Sequence, residues 1–228
     1  MHNREFFISV KERIAHNLDV IRGKMKDAAH RAGRDADAIT LVAVTKTVGV
    51  EEIGVLRTLG VRDIGENRID AAQPKIGALP DDIRWHFIAP IQSRKARDVV
   101  ASFAVASAVD RVKIARALQK RCEEQDRSLE ILVEVNVTGE ASKHGFAPDT
   151  LADALVQIRA CECLHLAGLM TMAPLDAPPP VIRDCFRRLN RLADEHELKE
   201  RSMGMTDDFE IAIEEGATQV RIGRALFA

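Results

Sequence analysis

The sequence predicts an α/β fold in which eight parallel strands close into a (β/α)8, or TIM, barrel. Three observations predict it. Short apolar runs alternate with helical patterns along the whole chain, eight of the first and seven of the second. The first run, Leu41-Val42-Ala43-Val44, is apolar without alternation, as in a strand buried on both faces. The length, 228 residues with 46% hydrophobic content, suits one barrel domain spanning 1–228. An open doubly wound sheet is the alternative, but more often has about five or six strands.

Residues 4–32 read as one amphipathic helix ahead of the first strand. Phe7, Val10, Ile14, Leu18, Ile21 and Met25 recur at helical spacing, and Gly33 is a natural stop. This extra N-terminal helix should cover the outside or the bottom of the barrel. Strands are expected at 40–45, 61–64, 84–88, 103–106, 130–136, 164–170, 200–203 and 219–222. Helices are expected at 50–59, 68–76, 93–100, 111–125, 148–160, 181–196 and 207–215. The loop Ala173-Pro174-Leu175-Asp176-Ala177-Pro178-Pro179-Pro180 cannot continue either kind of element. It is read as a βα loop at the functional face or, equally, as a plain surface connection.

Composition narrows the class. The net charge is −2, with 33 basic and 35 acidic residues, which does not make a nucleic-acid surface. No apolar run reaches the roughly 18 residues that span a bilayer, and no signal-peptide core follows Met1. Cys122, Cys161, Cys163 and Cys185 lack zinc-site spacing and read as reduced thiols of a cytoplasmic protein. Tyrosine is absent from the sequence.

In a barrel, the residues after each strand share one mouth, where ligands bind. Lys46 ends the first strand. Walls around it would desolvate its amine and favour the neutral form, which can attack an aldehyde; the plain alternative is a lysine that ends the strand and reaches out to solvent. Gly65-Glu66-Asn67 ends the second strand, and Trp85-His86-Phe87-Ile88 the third. Asn136 through Gly145 follows the fifth, and Gly168 through Met172 ends the sixth. Lys143, in the glycine-flanked loop after the fifth, is the runner-up Schiff-base lysine and otherwise a solvated or phosphate-attracting charge. The seventh offers Ser202-Met203-Gly204-Met205-Thr206 and the eighth Arg221-Ile222-Gly223-Arg224. The loops after strands seven and eight frequently hold phosphate in barrels, and these bring hydroxyls, glycines and a helix start at Asp207. Thr206 or Asp207 serves equally as an ordinary helix cap. His86 reads as a hydrogen-bonded core histidine beside Trp85. Met170 and Met172 read as strand-end core or as packing for a ligand ring, and Arg94-Lys95-Arg97 as a solvated face.

This ordered set resembles the pyridoxal phosphate homeostasis protein family from about residue 5 to the end. The resemblance implies an alanine-racemase-type N-terminal barrel without the racemase's second, β domain. It implies pyridoxal 5′-phosphate (PLP) as cofactor, held as an aldimine of Lys46, and a part in intracellular PLP homeostasis with little or no turnover. It places Ser202 and Gly223 on the phosphate, Arg221 opposite the pyridine nitrogen, Asn67 beside the cofactor, and Met203 and Thr206 in the cofactor-binding set. It implies PLP-dependent apo-enzymes as recipients, no nucleic acid, no membrane, and a monomer or weak dimer. The chain departs from the family pattern at Ala89, Pro90-Ile91 and Arg94, and it ends at Leu226-Phe227-Ala228, short of the common tail. A PLP-dependent racemase is the alternative function. In the racemases that this barrel resembles, the second base is a tyrosine from the partner's β domain.

Overall fold

The computed structural model describes residues 9–140 and 143–228. Eight parallel strands form one closed barrel in chain order. They are β1 (Thr40–Val44), β2 (Asp63–Glu66), β3 (Arg84–Phe87), β4 (Val105–Val109), β5 (Leu129–Glu134), β6 (Leu164–Met170), β7 (Glu200–Ser202) and β8 (Gln219–Ile222). Closure is made by β1 against β8, from Thr40 opposite Gln219 to Ala43 opposite Ile222.

Strand parity separates two apolar layers. Ala43, Ile64, Val133, Leu169, Val220 and Ile222 face outward into the large core shared with the helices. Ala108, Leu132 and Met170 form a small separate cluster inside the barrel. Positions two residues further on, nearer the carboxyl ends, therefore face the mouth.

The outer helices are α2 (Val50–Thr58), α3 (Ile69–Ala78), α4 (Ala96–Ser102), α5 (Val112–Gln125), α6 (Leu151–Arg159), α7 (Pro179–Glu195), α8 (Phe209–Glu214) and a short α9 (Arg224–Phe227). They are preceded by α1 (Val10–Arg31), whose expected first turns at 4–8, Phe7 among them, lie outside the described residues. Ser9 caps α1 through a reciprocal capping box with Glu12. The helix ends where Gly33 turns to φ +64°, with Arg34 N–H donating to Ala29 O and Gly33 N–H to His30 O. Its buried face, Ile14, Leu18, Ile21 and Met25, packs the helix on the outside of the barrel against α8, α9 and α2.

The proline run does not end at a loop. Pro178 is the N-cap of α7, and Pro179 and Pro180 are its first helical residues. The missing N–H groups cost nothing in a first turn, whose donors have no intrahelical acceptor. The fourth strand lies later than expected and runs on to Val109, so its end residue is Asp110. None of the described helices is long and apolar enough to cross a membrane.

Candidate functional site

Lys46 follows β1 as the second residue of a turn closed by Val48 N–H donating to Thr45 O, 3.1 Å. It is exposed at the mouth. The desolvating walls expected around its amine do not close on it, because the loop is short and only Thr45 beside it is buried. Asn67, just past β2, is likewise exposed on the rim.

Arg221 is the buried cation of the inner wall, 6% exposed. Its Nη1 donates to Ser202 Oγ at 2.7 Å and its Nη2 to Thr171 O at 3.0 Å. Burial pushes the guanidinium down to about 10, while nearby Asp208 and Glu134 act in the opposite sense. At neutral pH it remains charged. The Ser202 hydroxyl accepts from Arg221, so its own proton is left to donate.

The loops after β7 and β8 are tied together. Arg221 N–H donates to Gly204 O at 3.0 Å, and Met203 N–H donates to Gln219 O at 3.1 Å. Met203 itself is wholly buried in the outer core, so its side chain does not reach the mouth. Gly204 holds φ +93°, and a Cβ there would lie 2.5 Å from Ala212 Cβ and 2.9 Å from Phe209 Cα. Only glycine fits this turn. The helix expected from Asp207 starts two residues later, because Asp208 Oδ1 accepts from Met205 N–H at 2.6 Å and holds the turn open. Burial raises the Asp208 carboxyl above its ordinary range, against the Met205 hydrogen bond and Arg221. Among the described residues, Gly204, Thr206 and Asp207 N–H have no protein acceptor. Gly223 directly follows β8, and a Cβ there would come to 3.4 Å from Val44 Cβ and O on β1.

The opposite wall carries two acids absent from the sequence-based candidates. Glu134 on β5 is 3% exposed, and its Oε2 is buried without a partner. Desolvation, then Asp110, raise its carboxyl above the usual range, while His144 and Arg221 act in the opposite sense. Asp110 lies after β4, with Arg111 Nε at 3.1 Å and His144 Nδ1 at 3.5 Å. Strand parity marks Glu134 as inward-facing, and the run Val105-Ala106-Ser107-Ala108-Val109-Asp110 repeats the apolar-to-charged break seen at Lys46.

Other candidates fall away from the mouth's centre. His86 is a core histidine hydrogen-bonded through Nε2 to Asp63 Oδ1 at 2.8 Å, and Trp85 is core. Lys143 is held by Glu140 Oε1 at 2.8 Å and donates to Met172 O at 3.1 Å. It clamps the β5 loop to the β6 loop instead of presenting a free charge. Arg94, Lys95 and Arg97 are exposed. Cys122, Cys161 and Cys185 are buried free thiols, and no metal-binding cluster occurs among the described residues.

The class follows from comparison with known proteins. Residues 11–228 match the family model "Alanine racemase, N-terminal domain". Alanine racemase of Clostridium difficile 630 shares that fold, with a TM-score of 0.73 at 13% identity over 94% of this chain and 56% of its own. Nearer relatives narrow the class. The "Pyridoxal phosphate homeostasis protein" of Pseudomonas aeruginosa is 40% identical over 217 residues, 94% of each chain. The protein of that name from Aquifex aeolicus is 36% identical over 95% of this chain and 96% of its own. PipY of Synechococcus elongatus PCC7942, solved without PLP, superposes with a TM-score of 0.86 at 30% identity, covering 94% of this chain and 100% of its own. The same protein solved with PLP bound gives a TM-score of 0.83. The chain belongs to the pyridoxal phosphate homeostasis protein family.

Proposed function

We propose that this protein binds PLP covalently through Lys46, takes part in PLP homeostasis, and turns over little or no substrate. The observation that carries the reading is the arrangement of one mouth: an exposed lysine after β1, an anion-ready turn after β7 and β8, and buried Arg221 on the wall between the sixth and eighth strands. PLP supplies an aldehyde that condenses with a lysine amine. Lys46 would provide that amine.

The donor set suits the rest of the molecule. Ser202 Oγ–H, the N–H groups of Gly204, Thr206 and Asp207, and the bare backbone at Gly223 offer donors and close approach to a phosphate. Asn67 offers an amide at the rim. Met203 contributes by anchoring the turn in the core. Arg221 has only donors and keeps its charge, so a ring nitrogen facing it stays unprotonated. The ring is then a weak electron sink, suited to storage and poor at stabilising carbanions.

Racemisation needs two acid–base groups, one for each face of the cofactor. Lys46 serves one face, and the 228 residues contain no tyrosine for the other. The acids Glu134 and Asp110 lie on the opposite wall, where desolvation and then Asp110 raise the Glu134 carboxyl above its ordinary range, and neither is assigned as the second base in this reading. Recipient apo-enzymes, a cytoplasmic location and a monomer or weak dimer belong to the same reading. The test is chiral chromatography of L-alanine and other L-amino acids incubated with PLP-loaded protein. Stable binding with negligible racemisation is expected. Turnover within the ~1–10³ s⁻¹ range of ordinary enzymes, lost in Lys46→Ala, would overturn it.

A further inference from the structure

The turn that carries Lys46 is held from behind by a buried ion pair. Thr45, the residue before it, is wholly buried. Its N–H donates to Gly65 O at 3.0 Å, and its hydroxyl donates to Glu66 Oε1 at 2.6 Å. Its carbonyl accepts twice, from Val48 N–H and from Lys75 Nζ at 3.0 Å. Lys75, on α3, also lies 2.8 Å from Glu66 Oε1. The Glu66 side chain is 0% exposed and that of Lys75 12%. The second Glu66 oxygen, Oε2, is buried with no partner.

This is a poor device for stability. Desolvating two charges costs as much as their attraction returns, and an apolar pair of similar volume is often neutral or better. The orphaned Oε2 adds a further cost. What the pair does supply is geometry. Each polar group of Thr45 has a fixed partner, so the plane of the peptide joining Thr45 to Lys46 is set, and with it the direction in which the Lys46 side chain leaves the strand. The first turn of a free strand end has no such constraint.

We infer that Glu66 and Lys75 are positioning residues for Lys46, holding its turn so that the amine meets an aldehyde bound by the β7 and β8 loops. This rests on the assignment of Lys46 as the covalent site. Lys75 contributes through Thr45, and its own ammonium is engaged by Glu66.

The experiment compares two probes on full-length Lys75→Met, Lys75→Arg and the double variant Glu66→Gln/Lys75→Met. PLP reports covalent loading, read by borohydride trapping and intact mass. Pyridoxine 5′-phosphate carries a hydroxymethyl group in place of the aldehyde and reports the non-covalent contacts alone. Thermal melting identifies the variants that fold. If Lys75→Met is too destabilised by its unpaired carboxylate, the double variant removes that charge and is read instead. The expected result is a loss of about tenfold in the rate of covalent loading, the worth of one charge-assisted hydrogen bond, with pyridoxine 5′-phosphate affinity held within about twofold. Lys75→Arg, which retains donor and charge, should recover part of the rate. Unchanged loading in a folded variant, or equal weakening of both probes, would overturn the inference. Absence of any adduct on Lys46 in the wild-type protein is a different result, and would count against the site assignment itself.

Discussion

Arg221 lies on the inner wall with Ser202 Oγ and Thr171 O as acceptors and Glu134 and Asp208 as the nearby acids. A lysine could not span both acceptors with the planar fork that arginine supplies. Arg221→Lys should therefore lower stability by about 2 kcal/mol, the order of one or two hydrogen bonds from a charged group, as read by urea titration. Glu134 gives a prediction with a defined sign. Its folded-state pKa is raised, so the native state binds more protons than the unfolded chain in the window above the ordinary carboxylate value. The stability this group allows is present below that window and is lost as pH rises through it. Glu134→Gln should therefore raise the melting temperature of cofactor-free protein near neutral pH, by up to ~2–4 °C for about 1 kcal/mol. The gain should shrink as the pH is lowered to about 4. A gain of the same size at both pH values would contradict this account of Glu134. At this scale Lys46, Asn67, Ser202, Thr206, Arg221 and Gly223 could be named as candidates from the sequence because each stands at or just past a strand end. It missed Asp110 because the fourth strand was placed too early, and Glu134 because an acid inside an apolar strand shows only once its face is known. The exposure of Lys46 depends on how neighbouring loops close, which no local pattern encodes.

At the scale of elements, two glycines carry backbone packing that no other residue permits. At Gly204 a side chain would meet Ala212 and Phe209 while φ is +93°. At Gly168, in β6, a Cβ would come within 1.9 Å of Glu200 O on β7. Gly168→Ala should separate β6 from β7 and cost at least ~3 kcal/mol, a backbone clash in the core that side-chain rotation cannot relieve. Gly204→Ala should destabilise and also weaken binding of phosphate-bearing ligands, whereas Gly77→Ala, with open space around its Cβ, should be nearly neutral. Denaturant midpoints of the three variants order these expectations. The N-terminal helix makes its own contribution: Leu18 is 1% exposed, so Leu18→Ala should cost about 2–5 kcal/mol. Strand and helix order was legible because apolar runs and helical periodicity alternate cleanly. The boundaries that shifted have local causes. Pro179 and Pro180 serve a first helical turn as readily as a loop, Asp208 delays α8 by bonding back to Met205, and the four residues of α9 are too few to show a period.

At the scale of the whole molecule, barrel closure brings the ends of β1, β7 and β8 together, although Lys46 and Arg221 are 175 positions apart in the chain (221 − 46). Closure followed from the number of strands, and the shared mouth followed from closure. The account makes phosphate a main handle, so pyridoxal should bind more than tenfold more weakly than PLP, at roughly 1.5–3 kcal/mol for each lost charge-assisted hydrogen bond. Equal affinities in parallel titrations would place the anion site elsewhere. The central claim is that one lysine holds the cofactor. Peptide mapping by mass spectrometry of PLP-loaded, borohydride-reduced protein tests it most directly. The adduct is expected on Lys46 and should disappear in a folded Lys46→Ala variant. An adduct found mainly on Lys143, or one that persists undiminished in Lys46→Ala, would contradict it.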